Sequence, residues 1–203
     1  MVSVLKPVPA GPAKPGRPLS VETGRAILAA SEALLVEAGY SGLSIERVAQ
    51  RARVTRQTIY RRWTSKIDLV AAVLAQRGES EAGGIPDTGS VREDLTVLAH
   101  RFAIRQRPGA PFLQSLVVEA QYDEKLAEVV DAYLGSRREQ AETVIRRARD
   151  RGELRPDIDV EALADLFYGF AWYRRLIKRV TIGDADYARV IDTLLQSSWK
   201  DIP

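Results

Sequence analysis

The chain has no cysteine and a single histidine, His100. Disulfides, thiolate metal sites and cysteine nucleophiles are therefore excluded, and one imidazole without partners at ligand spacing builds no zinc site. A Gly-rich phosphate loop and an H-x-x-x-H pair are also missing from the sequence, which removes the usual signatures of nucleotide-dependent enzymes and metallohydrolases. No segment approaches about 18 uninterrupted apolar residues, and the N-terminus lacks an apolar core of signal-peptide length. A soluble, cytoplasmic protein with no membrane span, no cofactor and no metal is the expectation, and enzymatic activity is not expected.

What is present is a helix-forming chain of 203 residues, 45% of them hydrophobic, enough to bury a core in one or two domains. The net charge of +3 is unevenly spread. Up to residue 77, 12 Lys and Arg stand against 5 Asp and Glu, and beyond it 18 stand against 22. A basic module on a mildly acidic body suits phosphate attraction.

The basic part contains SIERVAQRARVTRQTIYRRWTSK, Ser44 to Lys66. Ser44 can cap a helix whose apolar positions Ile45, Val48, Ala49 and Ala52 recur at helical spacing, with Arg47, Gln50 and Arg51 on the other face. A break at Ala52, Arg53 and Val54 leads to Thr55, a second cap, and to the helix TRQTIYRRW, in which only Ile59 and Trp63 need burial. Its exposed set is Thr55, Arg56, Gln57, Tyr60, Arg61 and Arg62, all able to meet phosphates or base edges, with no acid among them. This is the pattern of a DNA-binding helix-turn-helix.

The run from Gly39 through Leu69, with a helix before it, the recognition-helix segment TRQTIYRRW and a Ser-Lys helix start after it, is similar to the N-terminal domain of the TetR family of transcriptional regulators. The motif-bearing match spans roughly residues 20 to 75; the remainder matches in helical style and length only. The resemblance implies an all-α fold with an N-terminal three-helix DNA-binding domain followed by a helical ligand-sensing and dimerisation domain, about nine helices in all. Thr64 follows Trp63 where many members have proline, which implies a looser corner before the next helix.

Residues 1–19 hold five prolines and read as a flexible basic arm carrying Lys6, Lys14 and Arg17, either solvated or following a DNA groove. Residues 20–66 form the DNA-binding domain. Ser20 starts its first helix, Ile27, Ala30, Leu34 and Ala38 mark the buried side, and Gly39 is an αL stop. Residues 67–203 form the effector-binding and dimerisation domain. Ser65 and Asp68 make a capping box for a helix with Lys66 in its first turn, where free N–H groups, a helix dipole and an ammonium converge as a phosphate clamp. Residues 78–90, GESEAGGIPDTGS, are the compositional break. Beyond it come Ser90 to about Arg107, a Pro108–Gly109 stop, a short apolar helix after Pro111, helices over Asp123 to Leu134 and about Ser136 to Arg151, a stop at Gly152, a run from Val160 to Val180 that is apolar on more than one face, and a last helix from about Asp184 to Trp199.

By the resemblance, the last two helices pair with their mates in a homodimer, and a symmetric dimer reads double-stranded DNA at an inverted-repeat operator. Arg56 and Gln57 are placed for base edges, and Ser44, Thr55, Tyr60, Arg61 and Lys66 for phosphates. The alternatives are a solvated helix end for Arg61 and Arg62, and a half-core position for Tyr60. The body domain, again by the resemblance, encloses a small-molecule effector of unknown identity that releases a repressor. His100, Phe102, Gln114, Glu119, Tyr122 and Trp172 are the candidate lining residues, with ordinary core or surface packing as the alternative for each. Two other functions remain open: a small all-helical enzyme, or an architectural DNA binder without a sensor.

Overall fold

Helix starts are written into the sequence as Ser, Thr and Asp side chains. The computed structural model, which describes residues 20–80, 83–104 and 112–198, places a helix behind each. Ser20 Oγ accepts the Thr23 N–H at 3.1 Å and opens α1, Val21–Ala38; Ser44 Oγ accepts the Arg47 N–H at 3.2 Å and opens α2, Ile45–Arg51. Thr55 Oγ1 accepts from Thr58 at 3.2 Å and opens α3, Arg56–Tyr60. Then follow α4, Lys66–Ser80, α5, Val91–Ile104, and α6, Phe112–Ala120. Asp123 caps α7, Glu124–Asp150, and Asp159 caps α8, Val160–Trp172, which runs into a π-helical turn, Tyr173–Ile177, before α9, Asp184–Ser198. Among the described residues there is no strand. The expected Pro108–Gly109 stop and the N-terminal arm lie outside them.

Five expectations change. The break at Gly135 does not occur: α7 is one helix of 27 residues, about 40 Å long. A lone glycine costs a helix only about 1 kcal/mol, and buried Leu126, Val130, Ala141, Val144, Ile145 and Ala148 hold both halves on one stripe. The recognition helix ends at Tyr60 rather than Trp63, although Trp63 N–H still reaches the Ile59 carbonyl at 3.0 Å. Helix α4 runs on through Gly78 to Ser80. Ala38 is exposed, and Leu35 fills the core place instead. Gly39 has φ 65° and ψ −170°, which is not αL but a region essentially reserved for glycine.

Two apolar cores form. The first joins α1, α2, Ile59, Trp63 and α4 to α6 and the start of α7, with Ile27, Leu35, Val48, Leu69, Val70 and Leu116 at its centre. The second joins α5, the far half of α7, α8 and α9 around Leu95, Ile145, Phe167, Tyr187 and Ile191. Helix α7 is the beam shared by both. Because α6 packs on α1 and the start of α7 on α4 and α6, within one apolar cluster, the body and the reading unit meet in packed side chains rather than through α4 alone.

Candidate nucleic-acid interface

The two helices of the motif are set at their angle by local chemistry. Helix α2 ends in a Schellman motif: Val54 N–H reaches the Ala49 carbonyl at 2.9 Å and Arg53 N–H the Gln50 carbonyl at 3.3 Å, with Arg53 at φ 54°. Ile59 and Trp63, 0% and 4% exposed, then pin α3 against Val48 and α1. On the far side of α1, Arg51 grips Glu37 with two hydrogen bonds of 2.6 and 2.7 Å, and the guanidinium holds the Glu37 carboxyl below its usual range.

With the apolar pair buried, Thr55, Arg56, Gln57, Tyr60, Arg61 and Arg62 are left exposed together on one short helix and its turn. Arg56 is paired with Glu46 of α2 at 3.1 Å. Ser44, half-buried, spends its hydroxyl oxygen on the α2 cap, and Arg47 donates to the Gly42 carbonyl.

The start of α4 forms the expected capping box and differs from expectation at Thr64. Asp68 Oδ2 accepts from Thr64 N–H at 2.8 Å, Thr64 Oγ1–H at 2.7 Å and Ser65 N–H at 3.0 Å, while Ser65 Oγ accepts the Asp68 N–H at 3.1 Å. Thr64 therefore tightens the corner, since proline has no N–H to give. The same carboxylate places a negative charge at the start of α4, and these hydrogen bonds, led by the Thr64 hydroxyl, pull the Asp68 pKa down. Lys66 is half-buried with its ammonium 3.7 Å from the Tyr40 ring centre, and burial lowers its pKa.

The body residues divide. Phe102 and Trp172, with ring centres 6.3 Å apart, both line a cavity of about 350 Å³ between α7 and α8. Residues not foreseen from the sequence complete it: Asp131, Leu134, Arg137, Arg138, Asp165 and Tyr168, with Gly135 and Gly169 on facing helices. The two glycines, each with open space where a Cβ would stand, were the available signal. His100 is exposed and borders a different groove, between α5 and α9, with Nδ1 3.4 Å from Asp184. Gln114, Glu119 and Tyr122 do not join the cavity, because α6 packs into the first core. Gln114 and Glu119 are half-buried there, and Tyr122 is 87% exposed beyond the helix end. Glu119 instead adds negative charge near Lys66 and Tyr40. Among the described residues no helix is long and apolar enough to cross a membrane, and no group of three His, Cys, Asp or Glu side chains could hold a metal ion.

An all-helical body joined to a helix-turn-helix whose outward face is cationic and amide-bearing defines a DNA-binding transcriptional regulator. Residues 27–73 match the family described as bacterial regulatory proteins, tetR family, and residues 85–194 match the tetracyclin repressor-like C-terminal domain. The chain belongs to the TetR family of transcriptional regulators. It is 36% identical over 195 residues to the uncharacterized HTH-type transcriptional regulator YdeS of Bacillus subtilis, covering 93% of this chain and 94% of that one. It is 29% identical to the DNA-binding transcriptional repressor TetR of Mycobacteroides abscessus, covering 84% and 90%. The crystal structure of the TetR family transcription regulator SCO0332 superposes with a TM-score of 0.67 at 33% identity, covering 88% of this chain and all of that one. Regulators of this family bind DNA and act as dimers with small-molecule ligands.

Proposed function

We propose that this regulator is a cytoplasmic repressor that binds an inverted-repeat operator as a homodimer and leaves it when a small-molecule effector occupies the body domain. Arg56 and Gln57 read base edges, Arg as a fork onto guanine and Gln onto adenine, while Ser44, Thr55, Tyr60, Arg61 and Lys66 hold phosphates. Lys66 acts here through its ammonium, beside a corner where Asp68 already accepts the Thr64 and Ser65 N–H groups. The observation that carries the reading is the exposed Thr55–Gln57–Tyr60–Arg61 face on a helix fixed from behind by Ile59 and Trp63.

The dimer forms through α8 and α9. Leu166, Tyr173 and Ile177, spaced by seven and four residues along α8 and the π turn, are 58%, 51% and 66% exposed, an apolar stripe that a second copy would cover. The effector enters the cavity floored by Phe102 and Trp172.

Fluorescence anisotropy tests this reading, using the intergenic duplex beside the protein's own gene and a scrambled duplex across a salt series. Specific binding that weakens steeply with salt and relaxes in specificity on Gln57→Ala is expected. Equal weak binding to both duplexes, or none at low salt, would defeat it.

A further inference from the structure

Lys66 is the first residue of α4, where the helix dipole favours an anion and an ammonium stands against it. Such breaks of a local rule concentrate at functional positions. The side chain does not extend freely into solvent: it is half-buried, with its Nζ 3.7 Å from the centre of the Tyr40 ring. At that distance the negative face of the ring attracts the cation. An ammonium has three N–H donors, and the ring takes up one side of it, which leaves donors for a phosphate oxygen.

Tyr40 is in turn held from the body. The Ser115 hydroxyl of α6 donates to the Phe112 carbonyl at 2.9 Å and accepts the Tyr40 N–H at 3.1 Å, so it is engaged on both sides. Gly39, at φ 65°, lets the chain come so near that a Cβ there would stand 3.1 Å from the Ser115 Cβ. One helical turn beyond Ser115, on the same face of α6, is Glu119. Its negative charge favours the Lys66 ammonium and disfavours a Tyr40 phenolate. The turn between α1 and α2, the start of α4 and one face of α6 therefore meet at a single aromatic ring.

We propose that Tyr40 is a positioning residue for DNA binding: its ring, fixed to α6 through Ser115, holds the Lys66 ammonium ready for a phosphate. A free lysine side chain gives up much of its rotamer freedom when it is ordered on a phosphate. One already laid on a ring gives up less, and the difference appears as affinity. The body thus reaches the phosphate contact through α6 as well as through α4. This inference rests on the reading that Lys66 holds a phosphate, and the two are separated by the variants below.

Fluorescence anisotropy of the full-length protein on the intergenic duplex and on a scrambled duplex, across a salt series, compares wild type with Lys66→Met, Tyr40→Phe, Tyr40→Leu and Ser115→Ala. Tyr40→Leu and Ser115→Ala are each also combined with Lys66→Met, and circular dichroism melts check folding. Lys66→Met is expected to weaken binding to both duplexes about tenfold or more and to lower the salt slope by about two for a dimer. Tyr40→Leu is expected to cost about fivefold on both duplexes alike, since a phosphate contact carries no sequence information. Tyr40→Phe keeps the ring and should recover most of that loss. In the Lys66→Met background the cost of Tyr40→Leu should fall below about twofold, because no ammonium is left for the ring to hold. Ser115→Ala should cost about two- to threefold, and that loss should vanish in the same background. Site-specific replacement of Tyr40 by phenylalanine and then by its trifluoro and pentafluoro forms keeps the ring shape while draining its negative face, so affinity should fall stepwise. This series remains informative if Tyr40→Leu does not fold.

An equal cost of Tyr40→Leu with and without Lys66, a loss confined to one duplex, or affinity indifferent to fluorination would each overturn the positioning role while leaving Lys66 on its phosphate. Ser115→Ala that binds like wild type would overturn the link to α6. Lys66→Met that binds like wild type would defeat the phosphate reading of Lys66 itself, and the positioning role with it.

Discussion

Arg53 and Gly152 occupy the same place in the same motif. Each stands just past the C-cap of a helix, after Ala52 and Arg151, with positive φ, 54° for Arg53 and 80° for Gly152, and each is enclosed by a Schellman pair of hydrogen bonds. The long bond is 2.9 Å in both cases, from Val54 to Ala49 and from Glu153 to Ala148. Glycine takes this conformation without steric cost; arginine carries a Cβ that crowds the next carbonyl, at roughly 1 kcal/mol.

Arg53→Gly should therefore stabilise the protein by about 0.5–1 kcal/mol, part of the relief being offset by the greater freedom of glycine in the unfolded chain. Thermal unfolding reads this as a rise of a few degrees. The exposed Arg53 sits in the turn between α2 and α3, so operator affinity and its salt dependence should fall in the same variant. A stabilised protein with undiminished DNA binding would show that the arginine has no electrostatic reason to be there.

The junction between body and reading unit rests on Ser115. Its Oγ accepts the Tyr40 N–H at 3.1 Å, and a Cβ on Gly39 would stand 3.1 Å from the Ser115 Cβ. Ser115→Ala leaves a part-buried N–H unpaired and should cost about 1 kcal/mol in urea denaturation. Gly39→Ala adds backbone strain at φ 65° and should cost about 1–3 kcal/mol. If Ser115→Ala leaves stability unchanged, α6 does not hold the α1–α2 turn.

Glu46 holds Arg56 across the face proposed to meet DNA, with the two side chains 60% and 65% exposed. An exposed pair of this kind is screened by solvent and contributes little to folding, so Glu46→Gln should leave stability nearly unchanged. Without Glu46 an anion leaves the phosphate-facing surface and Arg56 loses its orientation. Binding to a scrambled duplex should rise a few-fold while discrimination between operator and scrambled DNA falls, both measurable by anisotropy.

Asp68 makes the α4 corner pH-sensitive. Its folded pKa is lowered, first by the Thr64 hydroxyl and then by Ser65 and the backbone N–H groups. A carboxylate with a depressed folded pKa contributes stability above its unfolded value, near 3.9, and loses that contribution as pH falls through the folded value. Asp68→Ala should cost about 1 kcal/mol at pH 7. The gap between variant and wild type should narrow in urea melts taken progressively below about pH 4. A gap that stays constant with pH would mean that the charge of Asp68 is immaterial to the cap.

The caps at Ser20, Ser44, Thr55 and Ser65–Asp68 and the stop at Gly152 were legible in the sequence because each is settled within a few residues by one side chain or one φ angle. The same locality made the exposed set on α3 readable once Ile59 and Trp63 were recognised as its buried pair. Gly135 misled because its small local cost is outweighed by packing at Leu126, Val130 and Ala141, which no short window contains. The placement of Gln114, Glu119 and Tyr122 failed for a related reason. The apolar stripe of α6 shows that the helix is buried, but not that its partner is the reading unit rather than the second core. Arg175, 8% exposed in the π turn Tyr173–Ile177, is not legible as buried, because a charged residue following an apolar run reads as a solvated helix end and the π turn has no sequence signature of its own.

The apolar stripe of α8 makes the last prediction. Leu166 and Ile177 bracket Tyr173 on the surface of the helix, whereas Leu163, Phe167 and Ala171 on its other side are already buried in the second core. Leu166→Glu with Ile177→Glu leaves that core untouched, so helicity and the unfolding midpoint of the isolated chain should hold. In a dimer built on this face the two carboxylates would be buried without partners, at several kcal/mol per protomer. Sedimentation should then return the mass of one chain in place of two. Operator binding should be lost at nanomolar concentrations, because a lone reading unit has one half-site's contacts and no second anchor to hold it near the DNA. A double variant that still sediments as a dimer would move the interface elsewhere on the body and leave the exposed stripe without a partner.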